Sequence, residues 1–263
     1  MIAKSLREYR RALIGWAVGV CAFMGLYISI YGSVKQDPKT FGAQAMAKYP
    51  GALKDFMGGL QDIGTGAGYL QAVVYQLFVP MLFIVCATLL ANRAIAQPEE
   101  AGTLELVVVL PVGRGRLVLE RFAALAAGLL ALAAVTLLVT WAAGDAAGLG
   151  VPFGRILAAH LGVLLIALFF GALALAVGAA VGRRAVAGAV VGVWALLGYM
   201  VVTVGAQVDA VSWLRWVSPF HYYAEGRPLF EGLPVGDYLV LAAATAVLAL
   251  TAVLAFDRRD VGV

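Results

Sequence analysis

The chain has 263 residues, 63% of them apolar and only 13% charged, with a mean hydropathy of +0.93. Soluble domains carry roughly 25% charged and 45–50% apolar residues, and must cover their surface with polar groups. A water-soluble fold is therefore excluded. The 19 basic and 15 acidic residues all stand outside six uncharged runs, 12–34, 63–92, 122–144, 156–182, 185–208 and 238–256. Each run is long enough for one helical crossing, which takes roughly 20 residues. The runs are continuous and rich in Ala, Leu and Val, whereas membrane barrel strands alternate over about ten residues. The expectation is an all-α polytopic membrane protein, one domain over 1–263 with six transmembrane helices.

In chain order, Met1–Arg11 carries Lys4, Arg7, Arg10 and Arg11. The run behind it lacks an A-x-A-like cleavage site, so it is expected to stay as the first span. Segment 32–69 has Phe41, Ala45, Met46, Tyr49, Leu53, Phe56, Met57 and Leu60 at helical spacing. Pro50-Gly51 divides it into two short amphipathic pieces suited to an outer membrane interface. The second run contains Tyr75, Gln76, Phe78 and Pro80, the last expected to kink it.

Segment 92–121 contains PEEAGTLELVVVLPVGRGRLVLER. Pro98 suits the first position of a helix, and Glu99 and Glu100 suit its first turn, where the helix dipole favours negative charge. Leu104, Val107 and Val108 then share one face. Pro111 ends the pattern, and Arg114, Arg116 and Arg121 form a basic collar. Either this helix rests on lipid, or it docks a cytoplasmic partner.

Segment 144–155 reads as a simple turn and Gly182-Arg183-Arg184 as a tight hairpin. The fifth run carries Trp194, Tyr199 and Thr203, together with Gly188, Gly192 and Gly198, which permit close backbone approach and make it a candidate dimer seam. Tyr75, Gln76, Phe78, Trp194, Tyr199 and Thr203 are candidates for a substrate path, with plain helix packing as the alternative. Segment 207–235 gathers Trp213, Trp216, Phe220, Tyr222 and Tyr223. Anchoring at the membrane interface accounts for them. Alternatively, Ser218-Pro219-Phe220 breaks the segment into a re-entrant pair forming an outer gate, which requires burial in protein or a cavity.

Six spans put both termini on one side. That side holds twelve basic residues and the other seven, so both termini are expected in the cytoplasm. The net charge of +4 then reflects cytoplasmic loops, with no nucleic acid implied. The runs contain no Asp, Glu, Lys or Arg, which disfavours an ion-coupled carrier. His160, the one titratable relay candidate, reads as a packing residue. Lys54 is the last lysine, so no phosphate-binding loop of the G-x-x-x-x-G-K type can follow it. His160 and His221 cannot form an H-E-x-x-H zinc site, and no G-x-S-x-G elbow is present. Cys21 and Cys86 fall inside spans and suggest neither a disulfide nor a metal site. No catalytic residue, metal site or cofactor is expected in this chain.

The stretch PEEAGTLELVVVLPVGRGRLVLERF resembles the signature of ABC-2 type transporter permeases: an acidic pair, G-T-L-E-L, a short apolar stretch, then P-V and basic residues. YPGALKDFMGGL, GYLQAVVYQLFVPML, WVSPFHYY and the terminal FDRRD also look like family features. The resemblance implies the membrane subunit of an ATP-binding-cassette exporter. Such a subunit dimerises, binds two copies of a nucleotide-binding ATPase that holds ATP and Mg, and exports an amphiphilic or hydrophobic cargo (drug, lipid or peptide) across a prokaryotic cytoplasmic membrane. Pro98, Glu99, Glu100, Gly102, Thr103, Leu104 and Glu105 would belong to a coupling helix over about Pro98–Leu110. Trp213, Trp216, Ser218, Pro219, Phe220 and Tyr222 would belong to re-entrant helices over about Val208–Gly226, and Ile2–Arg11 would form an interface helix. The sequence departs from the pattern at Gln97-Pro98 and at Gly113-Arg114-Gly115. Two other function classes are a non-transporting subunit that transmits force to an extracytoplasmic partner, and an ATP-independent channel or carrier.

Overall fold

The computed structural model describes residues 2–37, 48, 63–103, 113–203, 205 and 208–259. In chain order its helices are α1 (Ile2–Gln36), α2 (Gly66–Leu70), α3 (Phe78–Ala94), α4 (Ala96–Glu100), α5 (Arg114–Ala146), α6 (Phe153–Val181), α7 (Arg184–Thr203), α8 (Pro219–Ala224), α9 (Pro228–Glu231) and α10 (Val235–Asp257). A π-helical turn, Gln71–Tyr75, follows α2, and a 3-10 segment, Asp209–Val217, precedes α8. Among the described residues six stretches are long and apolar enough to cross a membrane, one for each uncharged run. The fold is an all-α polytopic membrane protein.

A helix that is apolar all round must be enclosed by protein or lipid. For α6 the enclosure is protein: 78% of its apolar window is buried within the chain, against 17% for α1. Helices α3, α5, α7 and α10 surround α6, and α1 lies outside this ring against α5. Small residues let the backbones approach. A Cβ at Gly162 would stand 2.4 Å from the Tyr238 hydroxyl, which donates to the Ala158 carbonyl at 2.9 Å. Thr88, Thr136, Thr140, Thr203 and Thr245 donate their hydroxyls to carbonyls four residues back, so none leaves a polar group unsatisfied in the apolar interior.

Three expectations change. Ile2–Arg11 is not a separate interface helix, because α1 runs unbroken for 35 residues; no Gly or Pro precedes Gly15 to interrupt it. The second span is broken ahead of Pro80, at the π-helical turn and at Leu77, whose φ is −133°. Pro80 falls in the first turn of α3, where its missing N–H costs nothing. Finally, α5 begins eight residues before its uncharged run, so Arg114, Arg116 and Arg121 ride on a helix continuing out of the membrane. Phe41–Met46, Tyr49, Pro50-Gly51, Leu53, Phe56, Met57 and Leu60 lie outside the described residues.

Candidate functional site at the face that carries the termini

Only Ile95, itself buried, separates α3 from α4. Helix α4 begins at Ala96, so Pro98 is its third residue, still within the first turn. It stops soon after. Gly102 takes φ +67°, its N–H donates to Glu99 O at 2.9 Å, and the Thr103 N–H donates to Pro98 O at 2.9 Å. This is a Schellman closure, in which left-handed backbone at a glycine satisfies the last carbonyls of a helix. A continuous helix from Pro98 to Leu110 is therefore interrupted at Gly102. Leu104, Glu105, Val107, Val108, Leu110 and Pro111 lie outside the described residues.

Both acidic side chains of α4 turn towards the bundle. Glu100 accepts the backbone N–H of Arg184, the first residue of α7, at 2.9 Å, and the Arg184 Nε at 3.0 Å. Glu99 pairs with both terminal nitrogens of the Arg259 guanidinium, just beyond α10. Arg259 also donates to the Ala179 carbonyl near the end of α6 at 3.3 Å. The Arg259 carbonyl in turn accepts from Arg114 at the start of α5, at 2.8 Å. Gly182, at φ +71°, lets the pair cross the α6–α7 hairpin: a Cβ there would lie 2.4 Å from both Arg259 Nη2 and Glu99 Oε1. The Glu99 side chain is only 16% exposed, so this pair is screened by water far less than an exposed ion pair.

On the opposite face, the aromatic cluster divides. Trp213 and Trp216 are 62% and 56% exposed, whereas Ser218, Pro219, Phe220 and Tyr223 are buried. Ser218 Oγ donates to the Gly198 carbonyl at 2.8 Å, and Phe220 packs against Phe170 and Tyr199. Gly198 lies five residues before the end of α7, about 7 Å along its axis. The chain after the 3-10 segment thus descends alongside α7. The Tyr223 hydroxyl donates to the Tyr75 carbonyl at 2.6 Å. Burial pushes the Tyr223 phenol well above its ordinary pKa, so it remains a neutral donor. Tyr222 instead bonds the Trp216 carbonyl at an exposed position.

The substrate-path candidates do not line one surface. Tyr75, Tyr199 and Thr203 are buried inside the protomer, whereas Phe78 is 48% exposed and Trp194 36%. Tyr75 holds His160 Nδ1 at 2.8 Å, and Gln76 interacts with the Tyr199 hydroxyl. His160 also contacts the Ile156 carbonyl through Nδ1 at 3.2 Å, as a packing residue does. Phe78 lies against Phe23 and Tyr27 of α1. What α7 presents outward is an apolar groove of about 680 Å³, lined by Val190, Trp194, Leu197, Leu214, Val217 and Ser218 among others.

Sequence reasoning missed Arg184 and Arg259 as partners of the acidic pair. Their signal was topological. Six spans return the segment after Asn92, the Gly182-Arg183-Arg184 hairpin and the terminal FDRRD to one side of the membrane, where two arginines meet two uncompensated carboxylates.

The class of protein is thereby defined: a six-span helical membrane subunit with a short braced helix at the face that carries its termini. Residues 1–261 match the family model for the ABC-2 family transporter protein, and the chain belongs to that family. A comparison with curated proteins finds no match. Members are membrane subunits, generally non-catalytic themselves, and the family implies an ATP-binding partner subunit.

Proposed function

We propose that this chain is the permease of an ABC exporter in a prokaryotic cytoplasmic membrane, acting as a homodimer with two copies of its ATP-binding subunit. The segment from Pro98 to Glu105 docks the ATPase, and the cargo is amphiphilic or hydrophobic: a drug, a lipid or a peptide. The observation that carries this reading is the bracing of α4. A helix of five residues does not hold itself in water, yet this one is tied by side chains to the ends of α7 and α10. An ATPase pressing on it meets a rigid lever.

The outward groove along α7 suits contact with a second copy, since its lining is apolar and two glycines of that helix, Gly188 and Gly192, have none of the described residues within 4 Å of an added Cβ. The descending segment at Ser218–Phe220 supports an outer gate beside that seam, with Trp213 and Trp216 as interface anchors. ATP-driven closure of the two ATPases moves the α4 segments, tilts the spans and opens the seam outward.

The test is co-expression of the chain with its ATP-binding subunit, purification of the complex in lipid nanodiscs, and ATPase assays with added amphiphiles. A stable complex whose hydrolysis is stimulated by an amphiphile supports export. A stable complex that moves nothing in vesicles but binds a large extracytoplasmic protein favours force transmission. Uptake or current from the chain alone overturns the proposal.

A further inference from the structure

We infer that Arg184 and Arg259 are positioning residues that carry a displacement of α4 separately into α7 and α10, and that Glu99 and Glu100 face inward as their partners. This rests on the docking of an ATPase at the α4 segment proposed above.

The geometry has two arms. In the first, Glu100 holds α7 through the backbone N–H of Arg184 as well as through its side chain. A backbone contact at the first residue of a helix grips the helix itself, and it joins a carboxylate to the positive end of the helix dipole. Whatever shifts Glu100 therefore shifts the start of α7, the helix that carries the apolar groove along its outward face. In the second arm, Glu99 holds Arg259, which stands two residues past the end of α10 and also touches the ends of α6 and α5 through Ala179 and Arg114. Gly182 leaves the room in which this second pair forms.

Both oxygens of each carboxylate are engaged. Their negative charge is thus neutralised within the chain, and the acidic pair is poorly placed to recruit a basic surface. Docking then falls to the remainder of the segment. The two pairs differ in what they move, so their losses should be separable, which a purely stabilising role would not produce.

The experiment uses the complex with the ATP-binding subunit in nanodiscs. Hydrogen–deuterium exchange of peptides covering 184–203 and 235–257 is compared without nucleotide and after trapping with ATP and vanadate. In the wild type both helices change their exchange on trapping. With Arg184→Gln the change is lost in 184–203 and kept in 235–257; with Arg259→Gln the pattern is reversed. Each variant leaves the other brace of α4 in place, so both still assemble and hydrolyse ATP. The exchanged pair Glu99→Arg with Arg259→Glu restores the response of 235–257. Arg184→Lys and Arg259→Lys, which keep the charge but lose the planar fork, take the place of any glutamine variant that does not fold.

Loss of assembly in either arginine variant, or an unchanged response of both helices, overturns the inference and leaves ATPase docking standing. A wild-type chain that brings down no ATP-binding subunit overturns docking itself, and the inference falls with it.

Discussion

The Tyr223 hydroxyl and the Tyr75 carbonyl are 2.6 Å apart although 148 positions separate them. The acceptor is available because the chain leaves regular α-helical geometry at Gln71–Tyr75 and again at Leu77. A carbonyl freed from its helical partner inside an apolar bundle needs a donor, and the segment after the 3-10 helix delivers one. This bond fastens the segment between α7 and α10 to the second span.

Replacing Tyr223 by Phe removes the only feature of that side chain that can satisfy the Tyr75 carbonyl while keeping the ring in place. Leaving a buried acceptor unpaired costs about 1–3 kcal/mol. The purified chain in detergent should therefore unfold at a lower temperature with Tyr223→Phe. Tyr222→Phe, whose hydroxyl bonds Trp216 at an exposed site, should leave the Tm nearly unchanged. Equal shifts for the two variants would remove the fastening role from Tyr223.

Gly182 is required on two counts, its φ of +71° and the 2.4 Å separation between an added Cβ and the Glu99–Arg259 pair. Left-handed backbone alone costs a non-glycine residue about 1–2 kcal/mol. Gly182→Ala should exceed that figure, because the ion pair must also move aside. Gly19→Ala meets none of the described residues within 4 Å and should be neutral or stabilising by up to about 1 kcal/mol, through helix propensity. Thermal unfolding of both variants measures the difference.

The six spans were legible because membrane crossing excludes charge, and the uncharged runs mark that exclusion directly. The local end of α4 was harder to read. Leu104, Val107 and Val108 continue a helical period past Gly102, so periodicity favoured one long helix. Helix α4 ends before them because the Schellman closure at Gly102 satisfies carbonyls that periodicity ignores. The partners of Glu99 and Glu100 lie 160 and 84 positions away, beyond any local pattern, and become visible only when topology gathers the segments on the side of the termini. Exposure within the external cluster depends on tertiary packing too: Trp216 and Phe220 are four apart and alike in character, yet one faces out and the other in.

Trp213 and Trp216 should sit in lipid at headgroup depth, where an amphipathic ring finds both apolar contact and water. Their share of the fluorescence is the difference between the wild type and the Trp213→Phe, Trp216→Phe double variant. Lipids brominated near the carbonyl should quench that share more strongly than lipids brominated at the chain end. Quenching by aqueous acrylamide alone would move the pair out of the membrane interface.

Gly188 and Gly192 lie four residues apart on α7, and among the described residues no atom stands within 4 Å of a Cβ added at either. Small residues at this spacing let two membrane helices approach closely enough for extensive van der Waals contact. If α7 is the seam between two copies, Gly192→Leu holds the backbones apart without disturbing the fold of either one. The expected outcome is a shift from dimer to monomer by light scattering in detergent, with the unfolding temperature of the monomeric chain unchanged. The conservative Gly192→Ala should retain most of the dimer, since a single methyl adds little to the separation. A Gly192→Leu variant that stays fully dimeric would remove α7 from the proposed seam, and with it the proposal that this helix opens an outer gate by tilting.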